Sequence, residues 1–506
     1  MRVYSHPIPL SIKLGLGYNQ SMKLPKFKLP PFLRLKPATM RLVLFLATFC
    51  FISGGTFLMI RYAQGYRPTK TGTIKGTGLL SAGSYPTAAE VYINGKLTTA
   101  TDNTLNIDPG TYDVEIKKDG YHTWSKKLEI TAELVTETNA QLFPTSPSLE
   151  PLTYTGALQA VPSPDGTKLA FTVASASAVA KNGLYVQELS SSPIALNKTA
   201  RQIARTETNY DYTTSSYTWS PNGSELLVSF NSGAHILLDT TQFNDLANLK
   251  DVTVRLPQIL SEWELELARE ARVQLLKLPD FMAKVATESA TNLYFSPDNK
   301  RLLYQALTDT NLQTGLVATI PSSSTQAEVR EIKAGSWYIY DIKEDKNFLL
   351  SPGALPIPSP STTPKAKTTK TATVHAVPAT TPFTPSKLTL LPNFQEAIPA
   401  ELISSPSAFH TLQNNISTLE SIILFNAQYS PIFVGSIQWF PDSTHLIITT
   451  DTGIDLIEYD GTNRLTVYGG PMDKSIVYPW PDGSKIITRI AFSEGTIPNL
   501  YTIKLK

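Results

Sequence analysis

The sequence predicts an all-β protein behind a single N-terminal transmembrane helix, and three observations predict it. Residues 42–60 form an apolar run without a charge, and residues 72–143 alternate apolar and polar side chains between turn signals. Between residues 150 and 506 a turn built on Pro and Asp or Asn, followed by an apolar strand, recurs five times. At 506 residues the chain is too long for one core, so two or more folded domains are expected.

The apolar run, Leu42 to Ile60, is bracketed by Arg41 and Arg61. At helical rise it spans roughly 28 Å, close to the hydrocarbon thickness of a bilayer. Its Leu, Ile, Val and Phe residues each favour insertion by about 0.3–0.6 kcal/mol, which together outweighs the small polar cost of Thr48, Ser53 and Thr56. The rival reading is a cleaved signal peptide, for which Ala63-Gln64-Gly65 offers a small-x-small site. Its n-region would then be unusually long.

Charge sets the expected orientation. Residues 1–41 carry Arg2, Lys13, Lys23, Lys26, Lys28, Arg34, Lys36 and Arg41 with no Asp or Glu, so this basic tail is expected to stay in the cytoplasm. Pro25, Pro30, Pro31 and Pro37 keep it from forming a long helix, and it is expected to lie against anionic headgroups. Residues 61–71 form a juxtamembrane linker, and everything after them is expected outside. The net charge of +2 resides largely in the tail, so the remainder has no bulk affinity for polyanions and no nucleic-acid partner is expected. Cys50, the one cysteine, lies within the apolar run, which excludes internal disulfides and a Cys-based metal site.

Residues 72–143 read as a compact antiparallel β domain. Val91 and Ile93 share a face, and Asn94-Gly95 supplies the positive φ angles of a tight hairpin. A second run, Tyr112 to Ile116, follows Asp108-Pro109-Gly110 and ends at Lys118-Asp119-Gly120. A third, Trp124 to Ile130, keeps Trp124, Leu128 and Ile130 on one side, and Val135 to Leu142 closes the set. These residues resemble the PEGA domain, a small β-sandwich of envelope proteins. Pro86-Thr87-Ala88-Ala89 stands where the namesake tetrapeptide falls, with Asn94, Gly95, Gly110 and Gly120 at the turns. The resemblance implies an extracytoplasmic location and a structural or adhesive role, with no catalytic residues.

The repeat follows. Its copies centre on Pro164-Asp165-Gly166, Pro221-Asn222-Gly223, Pro297-Asp298, Pro441-Asp442 and Pro481-Asp482-Gly483. In each, Pro fixes φ, Asp or Asn hydrogen-bonds the backbone ahead, and Gly, where present, takes the left-handed conformation. Each copy therefore joins two strands, and further strands such as Leu184 to Val186 and Asp455 to Tyr459 complete units of four. Four strands per unit is the signature of a β-propeller blade, and residues 150–506 look similar to TolB-type and WD-repeat-type propellers. Six blades are expected, with seven as the next count, and the ring is expected to close by pairing 152–161 with the last blade.

The spacing between copies is uneven, and two gaps exceed one unit. The first holds a helical insert, residues 258–288, expected to start at the capping box Ser261-x-x-Glu264 and to break at Pro279. The second holds a blade lacking the motif, Trp337 to Ile342, and a Pro/Thr/Ser-rich stretch, residues 352–387, expected to be disordered.

The candidate sites favour structure over chemistry. One carboxylate per copy at Asp165, Asp298, Asp442 and Asp482 makes turn capping the expected role rather than Ca²⁺ binding. Of the histidines, His122, His235, His410 and His445 lie apart, without a metal-ligand spacing. No nucleophile elbow, paired carboxylates or phosphate loop is present, so no enzyme, cofactor or metal is expected. The expected function is an envelope interaction or scaffold protein binding a surface protein or wall glycan. The alternative is a ligand-sensing regulatory ectodomain, and an unrecognised hydrolase is a third reading.

Overall fold

In a computed structural model of the chain, the described residues are 37–63, 66–68, 74–190, 199–318, 320, 324–350, 437–493 and 495–506. The expected basic tail (except its last residues) and the Pro/Thr/Ser-rich stretch lie outside them. Two compact units result, Met1–Lys75 and Gly76–Lys506.

The first unit contains helix α1, Pro37–Ala63, which extends the apolar run at both ends. Within it Thr39–Ala63 is long and apolar enough to cross a membrane, a criterion that a signal sequence also meets. Thr48 returns its hydroxyl to the helix, donating to the Leu44 carbonyl at 2.9 Å, so this polar group is satisfied without water.

The second unit opens with two facing sheets. One orders Asn103–Ile107, Gly78–Tyr85 and Val135–Gln141, the last pair parallel; the other orders Lys96–Ala100, Glu90–Ile93, Gly110–Lys117 and Trp124–Ile130. Leu80, Val91, Val114, Ile116, Trp124, Leu128 and Ile130 fill the space between them. Asn94 (φ 49°) and Gly95 (φ 75°) make the hairpin turn, and the Asn94 side chain accepts the Asp113 N–H at 2.9 Å. Pro86 follows the first strand, Ala89 is fully buried, Gly110 begins a strand, and the Gly120 carbonyl accepts the Thr145 N–H.

Five four-stranded antiparallel sheets follow among the described residues. The first runs Leu158–Pro162, Lys168–Val173, Gly183–Glu188, Arg201–Arg205, and the second Ser216–Trp219, Glu225–Ser229, His235–Asp239, Lys250–Asp251. The third is Ala290–Phe295, Arg301–Ala306, Trp337–Asp341, Lys346–Leu349, and the fourth Ile437–Trp439, His445–Thr449, Gly453–Glu458, Leu465–Gly469. The fifth is Asp473–Pro479, Lys485–Ile490 and Asn499–Lys504, completed by Leu149–Pro151 from the start of the region.

Trp337–Asp341, expected as a blade lacking the motif, is the third strand of the sheet that contains Ala290–Phe295, because Leu303 pairs with Ile339, and is no blade of its own. The strand that joins the two ends is Leu149–Pro151, whereas Leu158–Pro162 opens the first sheet.

Apolar clusters join first to second, third to fourth, fourth to fifth, and fifth to first sheet. Trp219 donates its indole N–H to the Val161 carbonyl and Trp439 to that of Tyr294, both at 3.0 Å, so two junctions share one register. Between second and third sheets stand helices α2, Leu256–Leu275, and α3, Asp280–Glu288. Leu256, Ile259, Leu260 and Trp263 pack on Leu227, while Met282, Val285 and Ala286 pack with Leu302 and Tyr304. The expected start at Ser261 is therefore wrong. Burying Leu256, Ile259 and Leu260 contributes roughly 1.5–3 kcal/mol each, which outweighs the roughly 0.5–2 kcal/mol of an N-cap, and Pro257 suits a first turn.

Gly183 and Gly453 occupy equivalent places, opening the third strands of their sheets beside a register shift. A Cβ at Gly453 would lie 1.9 Å from the Tyr468 carbonyl oxygen, and one at Gly183 would lie 2.1 Å from that of Ala204. Gly453→Ala is expected to destabilise the unit by about 1–3 kcal/mol, because the obstacle is backbone. A urea midpoint equal to wild type would refute this.

Candidate functional site at the seam between sandwich and sheets

The five turns place their residues in equivalent positions, each between the first and second strand of a sheet. Asp165, Asn222, Asp298, Asp442 and Asp482 accept the N–H two residues on, from Thr167, Ser224, Lys300, Thr444 and Ser484, at 2.8–3.1 Å. The residue after each takes positive φ: Gly166, Gly223, Asn299, Ser443 and Gly483. The prolines Pro164, Pro221, Pro297, Pro441 and Pro481 sit one position before the capping side chain. Neighbouring turns meet, as where Ser443 Oγ accepts the Asp298 N–H at 3.0 Å. The turns thus line one end of the sheets, and their residues gather no shared ligand set.

On that same end the sandwich is seated. Its edge strand Trp124–Ile130 alternates strictly, which turns Trp124, Lys126, Leu128 and Ile130 to one face. The end of strand Gly453–Glu458 in the fourth sheet and the loop after it bring Glu458, Tyr459, Asp460 and Asn463 to meet them. Lys126 pairs with Asp460 at 2.5 Å and with Glu458, and its side chain is 11% exposed against 0% and 7% for the two carboxylates. The Trp124 indole N–H donates to Glu458 Oε1 at 2.5 Å, and the Asn463 amide donates to the same oxygen at 2.9 Å. Backbone closes the seam: the Ser125 N–H donates to Asn463 Oδ1 at 2.9 Å, and the Lys127 carbonyl accepts from Thr325 and Gln326.

The ionic group continues inward. His445 Nδ1 stands 2.6 Å from Asp442 Oδ2, and Nε2 stands 3.9 Å from Glu458 Oε1. Phe143, at the sandwich's exit, sets its ring edge-on to Phe440 and His445. On the other side the Arg301 guanidinium lies 3.9 Å from the Tyr459 ring centroid, and Arg301 pairs with Asp341 at 2.9 Å. Burial alone would pull the Lys126 ammonium down, but the charges of Glu458 and Asp460 override it and hold it above the ordinary lysine range. His445 is likewise raised, burial being outweighed by the charge and hydrogen bond of Asp442 and then by Glu458. Against its own burial, Asp442 is lowered by His445. Burial lifts the Tyr459 phenol to about 12.

This arrangement holds two modules together, and every charged group in it faces another protein group. Among the described residues no cluster of His, Cys, Asp and Glu could hold a metal ion. Asp442 combines turn capping with pairing to His445, a second role that sequence reasoning missed. Lys126, Glu458, Asp460 and Trp124 were missed as a site too. Their signal was available in part, because Lys126 is a charge at an inward position of an otherwise apolar stripe.

Residues 77–146 match the PEGA domain family. No curated protein matches the chain. Among solved structures, a TolB from Agrobacterium tumefaciens is 12% identical, with 70% of this chain and 73% of that one covered and a TM-score of 0.19. A β-propeller domain from Myceliophteria thermophila is 10% identical over 70% and 99% of the two chains, with a TM-score of 0.25. TolB from Acinetobacter baumannii is 9% identical over 78% and 60%, with a TM-score of 0.17.

Proposed function

We propose that this chain is a single-pass envelope protein, with its N-terminus in the cytoplasm, whose sandwich and sheets act outside as one rigid interaction body. The observation that carries the reading is the buried seam: Lys126, Glu458 and Asp460 fix the sandwich on the sheets, so the two modules present a single surface. The PEGA match supports an envelope setting, and helix α1 supplies the anchor. The sheets are read as blades of a closed propeller, supported by Leu149–Pro151 completing the sheet of Asn499–Lys504. The partner class is a surface protein or wall glycan. The reading is non-catalytic, since the Asp442–His445–Glu458 group spends its polar atoms on neighbouring protein groups.

Crosslinking the full chain in intact cells tests this. The expected result is an adduct with an external envelope component, together with digestion of residues 76–506 by protease added outside. Adducts confined to cytoplasmic proteins, with the bulk of the chain untouched by external protease, would refute it.

A further inference from the structure

We propose that the seam is a proton-dependent latch, in which His445 serves as an imidazolium between Asp442 and Glu458 and loss of its proton loosens the sandwich from the sheets. This goes beyond the interaction role and does not depend on which partner is bound. Asp442, Glu458 and Asp460 bring three carboxylates to one cluster, while Lys126 brings one ammonium. Glu458 and Asp460 are buried and Asp442 is only partly exposed, at 24%, so with one ammonium among the three a second cation restores most of the balance.

His445 is the group placed to supply it. Its side chain is 4% exposed, with Nδ1 against Asp442 and Nε2 toward Glu458, so both ring nitrogens face acceptors and a neutral ring could donate to one of them alone. Asp442 and Thr444 face His445 from its own turn, and Glu458 from the third strand of the fourth sheet. Lys126 comes from the sandwich, with Asp460 behind it, and the rings of Phe143 and Phe440 close the remaining sides without charge. Because Glu458 Oε1 also accepts from Trp124 and Asn463, removing the imidazolium charge acts on the oxygen that binds the sandwich.

The sign follows from the raised His445 and the lowered Asp442. A His raised in the folded state contributes while it is protonated and is lost as pH rises through its folded value; an Asp held low contributes while it is ionised and is lost as pH falls through its own. The latch is therefore closed between those two titrations and opens as pH rises through that of His445.

Hydrogen–deuterium exchange on the full chain in detergent, corrected for intrinsic rates, reads the latch at peptides covering 123–128 and 458–463. As pH rises from neutral into the alkaline range, wild type is expected to lose protection several-fold at both peptides as His445 gives up its proton. His445→Gln, neutral throughout, is expected to be loose across that whole range. Unchanged wild-type protection, or a His445→Gln chain that keeps the pH response, would overturn the proposal. Should His445→Gln lose its far-ultraviolet circular dichroism, Asp442→Asn serves instead: the opening is expected at lower pH, and an unmoved midpoint would overturn the proposal.

Discussion

Lys126→Ala is expected to destabilise the second unit by about 3–5 kcal/mol, because it leaves Glu458 and Asp460 buried without their cation. Removing one partner of a buried pair is worse than removing the whole group, since the remaining charges keep their desolvation cost. The companion variant makes that asymmetry visible. Lys126→Met combined with Glu458→Gln and Asp460→Asn removes all three charges while keeping their volume, and is expected to lose far less than the single substitution. Urea denaturation of the full chain in detergent measures both. A single-variant loss under about 1 kcal/mol would mean that the seam behaves as an exposed pair, which its burial contradicts.

The five Pro turns were legible because turn chemistry is local: Pro, an accepting side chain and a left-handed residue lie within four positions, and each falls between the first two strands of a sheet. Ser443 takes that left-handed place (φ 62°) without being Gly or Asn, and only the rest of the motif marked it. Trp337–Asp341 was misplaced because residues 307–336 intervene before it, including the small pair Thr310–Asn311 and Glu331–Ile332. Strand pairing ignores such an insertion, and spacing cannot. The capping box at Ser261 failed for the opposite reason, a local signal overridden by burial against Leu227.

Lys126 was half legible. The alternation that placed Trp124, Leu128 and Ile130 on one face placed Lys126 there as well, and a charge on an inward face needs a partner. What no pattern could give is the partner's address. Glu458 and Asp460 lie more than three hundred residues away and are brought to Lys126 by the packing of the fourth sheet under the sandwich.

Paired substitutions in helix α1, Phe49→Lys with Ile52→Lys, are expected to move the protein from the membrane fraction to the soluble fraction. Each lysine near the middle of the span opposes insertion by about 2.5–3.5 kcal/mol, and each also removes an apolar side chain worth about 0.3–0.6 kcal/mol. The combined penalty offsets most or all of what the remaining Leu, Ile, Val and Phe residues of Thr39–Ala63 supply. The same experiment separates an anchor from a signal sequence, because the intact mass of wild-type protein recovered from membranes reports whether the helix is retained. An anchor predicts a chain that includes residues 39–63 and resists carbonate extraction. Cleavage near Ala63, with the bulk of the protein free of the membrane, would remove the anchor from the proposed function while leaving the seam at Lys126 unaffected.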